Sequence, residues 1–243
     1  MNAASGIAAP VAARRWRSER WFFGGIGVAA ALTVFAGFAP TYYLKDVLGG
    51  PPLTALQHLH GFLFSCWILL FIAQTSLIAA NRIDVHRRLG VAGALLAGAM
   101  VVVGAAVSVV FVRRGISPPG VPSAREFLVV PVVDLLVFST LVALGLYFRR
   151  RPETHKRLML LATIGLLPAA IARLPFVLGA GPLVFFALTD LFVAAGWAYD
   201  LKARGRVHPA FLWGGLFLIG SQPLRLAIAR TDAWVAFAGW LAS

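Results

Sequence analysis

Acidic residues and cysteine are scarce in this chain of 243 residues. Asp and Glu together number 9, against 22 Lys and Arg, and the charged share is only 13%, where soluble domains carry about 25%. The single cysteine, Cys66, excludes an internal disulfide and a CxxC metal motif. Because so few charged side chains are available to cover a surface, the composition excludes an ordinary soluble enzyme, a disordered segment and a disulfide-held scaffold.

Hydrophobic residues take the place of the missing charges, at 60% of the chain and a mean hydropathy of +0.83. A helix that crosses a bilayer needs about 20 mostly apolar residues. Seven runs approach or exceed this length: residues 21–44, 56–79, 89–112, 126–148, 155–178, 182–199 and 208–228. The sequence therefore predicts an all-α, polytopic transmembrane helical bundle of seven spans within residues 21–230.

Two short segments flank the predicted spans. Residues 1–20 are basic, and the apolar run that follows them is longer than the core of a signal peptide, so we expect a retained anchor helix. Residues 231–243 are too few to span a bilayer and carry the aromatic residues Trp234, Phe237 and Trp240. Aromatic rings favour the headgroup level, which predicts an interfacial helix at residues 232–242.

Lys and Arg are distributed unevenly between the two ends of the predicted spans. Fifteen fall in the N-terminal segment and in the loops on the same side, and five fall on the opposite side. The positive-inside rule then predicts a cytoplasmic N-terminus and a C-terminus on the opposite side. The excess of Arg over Lys, 19 to 3, fits a bacterium, so we expect a bacterial inner-membrane protein with a periplasmic C-terminus. Membrane topology and anionic lipids account for the formal net charge of +13, so we expect no nucleic-acid partner.

The three loops on the basic side share the pattern R-x-x-x-H just before a span. This recurrence predicts three similar helical hairpins after the anchor helix. Convergence of the three histidines would form a metal or haem site, with Asp84 and Glu153 completing or orienting it. The alternative is that each imidazole bonds to headgroups or loop backbone. The three histidines are His86, His155 and His208.

Several polar residues lie inside the predicted spans, all towards the outer side. The helical rise places two carboxylates roughly 12 Å below the outer face and two guanidinium groups roughly 26 Å from the inner face. Ionisable groups at such depth usually face a cavity or a partner. They predict either an outer-half polar pocket for a small molecule, lipid or quinone, or interhelical ion pairs that fix the bundle. The candidate ligand-binding residues are His58, His60, Asp134, Arg173, Asp190, Gln222 and Arg225.

The stretches Leu59-His60-Gly61 and His86-Arg87-Arg88-Leu89-Gly90 resemble a family of uncharacterised bacterial multi-pass membrane proteins. More distantly, they are similar to two-haem membrane cytochromes of the ascorbate-reducing type. That similarity implies an inner haem pair formed by His86 and His155, with His60 as one outer ligand. Residues 126–148 contain no histidine to complete an outer pair, so the similarity implies one haem b at most.

Three functions therefore stay open at the level of sequence. The first is a membrane protein that binds a small ligand, a lipid or a quinone in the outer pocket. The second is a redox protein with haem b at His86 and His155. The third is a membrane enzyme that depends on a divalent metal held by the histidines of either face.

Overall fold

The computed structural model describes residues 5–117, 121 and 123–243, with side chains from residue 18 onward. Helices and turns account for all of the regular structure in these residues, which agrees with the predicted all-α class. A π-helical turn, Ala39–Tyr43, continues the first helix. The α-helices are α1 (Ser5–Phe38), α2 (Ala55–Ala79), α3 (Ile83–Arg113), α4 (Ala124–Phe127), α5 (Val129–Tyr147), α6 (Pro152–Ile164), α7 (Pro168–Ile171), α8 (Pro182–Arg204), α9 (Pro209–Ala229) and α10 (Asp232–Ala242).

Six helical stretches in the described residues are long and apolar enough to cross a membrane. They correspond to the predicted first, second, third, fourth, sixth and seventh spans, which confirms a multi-pass membrane protein. Their bounds are Ser18–Tyr43, Ala55–Ala79, Ile83–Arg113, Ala124–Tyr147, Pro182–Arg204 and Pro209–Ala229.

The predicted fifth span, residues 155–178, is not a continuous helix. Helix α6 ends at Ile164 after 13 residues, α7 adds only 4 residues, and turns lead on to Pro182. Pro168 has no N–H to continue the helical ladder, although Leu167 before it keeps helical dihedral angles, with φ −68° and ψ −29°. The described residues therefore confirm six of the predicted spans, and they do not confirm a seventh span or an architecture of three similar hairpins.

This broken segment lies at the centre of the bundle. Leu160, Leu161 and Ile164 on α6 and Leu167 after it are fully buried, and α6 packs against α5, α8 and α9. The indole Nε1–H of Trp67 on α2 donates to Thr163 Oγ1 at 3.2 Å. Irregular backbone is tolerated at membrane depth only where protein surrounds it. The central position thus explains how a helix break persists here.

Ion pairs and ring contacts identify the two ends of the bundle. We call one end of the bundle the basic end; there, α2, α5 and α8 terminate and α3, α6 and α9 begin. There, Arg204 at the end of α8 contacts Glu153 at the start of α6. At the opposite end, the π-helical turn meets the start of α2, where Tyr42 Oη donates to the carbonyl oxygen of His58 at 3.2 Å.

Helix α10 closes the opposite end of the bundle. The indole Nε1–H of Trp234 donates to the carbonyl oxygen of Arg125 at 2.9 Å, and Arg113 Nε donates to that of Leu241 at 2.9 Å. Ala238 is fully buried against Val112 and Leu128. These contacts hold an 11-residue helix, too short to span, against the ends of α3 and α4.

Candidate functional site

The predicted outer polar residues fall into two groups, of which the first is paired across helices. Arg225 on α9 is 3% exposed, and its Nη1 donates to Asp134 Oδ1 on α5 at 2.5 Å. Gln222, one turn earlier on α9, donates through Nε2 to Asp190 Oδ1 on α8 at 2.7 Å. These bonds match the alternative in which polar residues fix the bundle, because one ion pair joins α9 to α5 and one amide–carboxylate bond joins α9 to α8.

The second group, His58, His60 and Arg173, lies beside the π-helical turn. His58 is exposed, and the Tyr42 ring centroid lies 6.0 Å from its own. His60 stacks on Phe64 at 4.1 Å, and its buried Nδ1 has no hydrogen-bond partner in the described part of the chain. The Arg173 guanidinium lies over Phe38, which directly precedes the π-helical turn, and Tyr42 in that turn packs against Gly61, the residue after His60.

Arg173 differs from the other intramembrane arginines in its partners. Its Nη1 donates to the carbonyl oxygen of Ala169 at 2.5 Å, and its guanidinium carbon lies 4.7 Å from the Phe38 ring centroid. No carboxylate forms an ion pair with it among residues 18–117, 121 and 123–243. We call Phe38, His60, Phe64, Ala169 and Arg173 the Arg173 site.

Close backbone approaches set the geometry of the Arg173 site. A Cβ on Gly37 would lie 2.2 Å from the carbonyl oxygen of Ala170, so only glycine lets α1 reach α7. A Cβ on Gly61 would lie 2.4 Å from the Tyr42 ring. The first approach places Phe38 under the guanidinium, and the second seats the π-helical turn on α2. π-Helical turns are rare and frequently accompany functional sites.

At the basic end, two of the three predicted histidines meet. The ring centroids of His86 and His155 lie 6.3 Å apart at an interplanar angle of 83°. His155 Nδ1 lies 2.7 Å from the carbonyl oxygen of Gly145. Because a carbonyl can only accept, Nδ1 carries the proton and the Nε2 of a neutral ring keeps its lone pair. The buried Nδ1 of His86 has no partner in the described structure.

His208 does not join this pair. Its Nδ1 accepts from the backbone N–H of Ala210 at 3.1 Å, so the ring caps α9. Burial, followed by the charges of Arg157 and Arg204, lowers the pKa of His208, which favours the neutral ring that capping requires. Asp84 is exposed, 4.0 Å from Arg82 Nε. Within the described ranges, no group of three or more His, Cys, Asp or Glu side chains is placed to hold a metal ion.

A charge network at the basic end was missed by the sequence reasoning. Arg157 on α6 and Asp200 on α8 are both fully buried and form an ion pair. Glu153 accepts from Lys156 at 2.7 Å, from Arg157 at 2.8 Å and from Arg204 at 2.5 Å. Lys156 also donates to Glu19 on α1 at 2.8 Å, and the backbone N–H of His208, at the start of α9, donates to Asp200 at 2.9 Å. We call this set the Arg157 network.

The Arg157 network holds its central carboxylate ionised. Burial opposes ionisation of Glu153, but the hydrogen bonds and positive charges of Lys156 and Arg157 outweigh it and lower the pKa to about 2. A signal for the network was present in the sequence, because Asp200 is an acidic residue at the basic end of an otherwise apolar run. The predicted sixth span stopped one residue short of Asp200, and Arg157, at the start of the predicted fifth span, was counted only among the basic residues on the N-terminal side.

Comparisons with protein families, with curated proteins and with solved structures give no match for this chain.

Proposed function

We propose that this chain is an inner-membrane protein that crosses the bilayer seven times and binds a small amphipathic ligand, a lipid or a quinone, at the Arg173 site. The observation that carries the binding function is that, within the described residues, the Arg173 guanidinium has no carboxylate partner and the buried Nδ1 of His60 has no hydrogen-bond partner. The other polar side chains predicted for this pocket, apart from the exposed His58, are already satisfied by one another.

The course of the broken segment supports a seventh crossing. Arg157, near its start, pairs with Asp200 in the last turn of α8. Val177, near its end, packs in one cluster with Phe185 and Leu188 in the first turns of α8. The segment therefore runs the length of α8 in the opposite direction. The arginines and lysines concentrated at the basic end favour a cytoplasmic location for that end.

The chemistry of the Arg173 site favours a ligand with an acceptor oxygen. A guanidinium has five N–H donors, and one of the Arg173 groups is engaged by Ala169. Leaving the remaining donors without partners inside a bilayer is costly. The rings of Phe38 and Phe64 offer apolar surface beside them. An amphipathic molecule places its oxygen on the donors and its apolar body against the rings.

Replacing Arg173 tests this binding function. We expect Arg173→Gln to weaken binding roughly tenfold or more, because a hydrogen bond from a charged donor is lost. Native mass spectrometry of the detergent-purified protein, titrated with oleate and with decylubiquinone, measures the bound fraction. Arg230→Gln is the matched control, since Arg230 is an exposed arginine at the same end of the bundle. Absence of binding by both probes, or equal binding by the two variants, would contradict the proposal.

A second candidate function is a redox protein with haem b, and the His86–His155 pair favours it. The ring centroids lie 6.3 Å apart in an edge-on arrangement, and His155 donates through Nδ1 to the Gly145 carbonyl, a second bond typical of ligating histidines. Basic side chains at this end suit the carboxylates of a haem. When bound, the group would supply one-electron transfer.

An absorption spectrum tests whether the protein binds haem b. We expect a Soret band in the purified protein, retained in His58→Ala and lost in His155→Ala, because His58 is remote from the pair. Elemental analysis of the same samples tests a divalent metal held by His86 and His155 instead. A wild-type protein with neither the band nor stoichiometric metal, even after haem is added during expression, removes both redox and metal functions.

A further inference from the structure

We infer that the ligand of the Arg173 site is the monoanionic head of an amphiphile, a carboxylate or a phosphodiester, that enters from the surrounding bilayer. This inference rests on the proposed function and narrows its ligand class. It excludes a quinone as the preferred ligand, because a quinone is neutral.

The first argument is the balance of charge among the intramembrane arginines. Arg157 and Arg225 each pair with a carboxylate on a neighbouring helix. Arg173 has only a backbone carbonyl and an aromatic ring as partners in the described structure. A neutral ligand would satisfy its N–H donors but leave its charge uncompensated in a medium of low dielectric constant. One negative charge compensates it, and carboxylate and phosphate oxygens match the fork of a guanidinium.

The second argument is access. Arg173 is exposed on the protein surface, and two of the apolar residues that follow it are exposed as well, Phe176 at 76% and Leu178 at 57%. On a membrane-spanning bundle, an apolar surface of this kind faces acyl chains rather than water. A lipid-like molecule therefore reaches the guanidinium without crossing the protein. Its chain would lie along the apolar surface while its head contacts Arg173.

The third argument is the second donor at the site. A neutral imidazole carries its proton on either nitrogen, so the partnerless Nδ1 of His60 can donate to an anionic oxygen. The site thus combines one cation with one neutral donor, which suits one negative charge rather than two.

The test compares anionic and neutral amphiphiles on the full-length wild-type protein in a neutral detergent. The probes are oleate, oleyl alcohol, dioleoylphosphatidylglycerol, dioleoylglycerol and decylubiquinone, each titrated by native mass spectrometry. We expect an anionic probe to bind one per chain, at least about tenfold more tightly than its neutral counterpart with the same acyl chains. Whether oleate or the phosphatidylglycerol binds more tightly identifies the source of the anion.

Substitutions test whether the preference for an anionic probe arises at the Arg173 site. Arg173→Gln should abolish the difference between oleate and oleyl alcohol, and Arg230→Gln should retain it. His60→Phe keeps an aromatic ring on Phe64 but lacks the donor, and we expect roughly threefold to tenfold weaker oleate binding. His60→Asn, whose side-chain amide stands near the place of Nδ1, should restore part of that loss.

The possible outcomes distinguish failure of this inference from failure of the proposed function. Equal or tighter binding of oleyl alcohol or decylubiquinone, still dependent on Arg173, overturns the inference and leaves the proposed function standing. Failure of every probe to bind overturns both, and identifies Arg173 as a side chain that only reaches the headgroup zone. The comparison of oleate with oleyl alcohol uses the wild-type protein alone, so it does not depend on the folding of any variant.

Discussion

Arg157→Met is expected to destabilise the folded protein by about 3–5 kcal/mol, the range for breaking a buried ion pair at one partner. Both side chains of the Arg157–Asp200 pair are fully buried, so the substitution leaves the Asp200 carboxylate charged, buried and without its cation. Only the backbone N–H of His208, at 2.9 Å, still donates to it. Unfolding of the purified protein in a detergent-exchange titration measures the loss.

The double variant Arg157→Met/Asp200→Asn separates the charge from the packing. Asn keeps an acceptor for the His208 N–H and removes the uncompensated charge, so we expect it to recover most of the lost stability. The control is Arg150→Met at the same end of the bundle, where the side chain is exposed and the expected change is within about 0.5 kcal/mol. An Arg157→Met protein as stable as this control would show that water reaches the network.

Burial explains why the Arg157–Asp200 pair contributes more to stability than the other ion pairs of the Arg157 network. The exposed fraction of the Glu153 side chain is 40%, and solvent weakens ion pairs that it reaches. Arg157 and Asp200 instead join the start of the broken segment to the end of α8, where solvent is excluded. The network holds in register a segment whose own backbone hydrogen bonds are interrupted further along.

The six long helices were predictable because length and apolar composition suffice to specify a span. The break in the fifth was not, since Gly165 and Pro168 lie within a run whose hydropathy suits a continuous helix. Hydropathy measures the cost of transfer into lipid. It carries no information on backbone hydrogen bonds, and here burial of α6 and α7 at the bundle centre decides that an interrupted helix is tolerated.

The depth of the candidate site residues in the bilayer was predictable from the sequence, but the side chains that each of them contacts were not. Counting residues along a helix gives the height of a side chain in the bilayer, and this grouped Asp134, Arg173 and Arg225. The direction in which each side chain points depends on how the helices pack. Packing pairs Asp134 with Arg225 and places Arg173 over Phe38, without a carboxylate partner in the described structure. The repeated loop pattern predicted convergence of three histidines, of which the structure brings His86 and His155 together, whereas His208 caps a helix instead.

Gly37→Ala is expected to separate α1 from α7 and so to damage both stability and ligand binding. The new methyl carbon would lie 2.2 Å from the carbonyl oxygen of Ala170, 2.7 Å from its carbonyl carbon and 2.9 Å from its Cα. These are backbone atoms of a buried turn, which cannot rotate away as a side chain would. Overpacking of this kind costs about 1–3 kcal/mol and occasionally more.

Gly25→Ala provides the matched control, because it is the same change on the same helix with nothing within 4 Å of the new carbon. We expect it to be neutral or to stabilise α1 by up to about 1 kcal/mol, since alanine favours a helix over glycine. Oleate affinity should fall in Gly37→Ala and not in Gly25→Ala, because Phe38 follows Gly37 directly and lies under the Arg173 guanidinium. Equal stability of the two variants would mean that α1 and α7 do not touch, and the Arg173 site would then lack one of its walls.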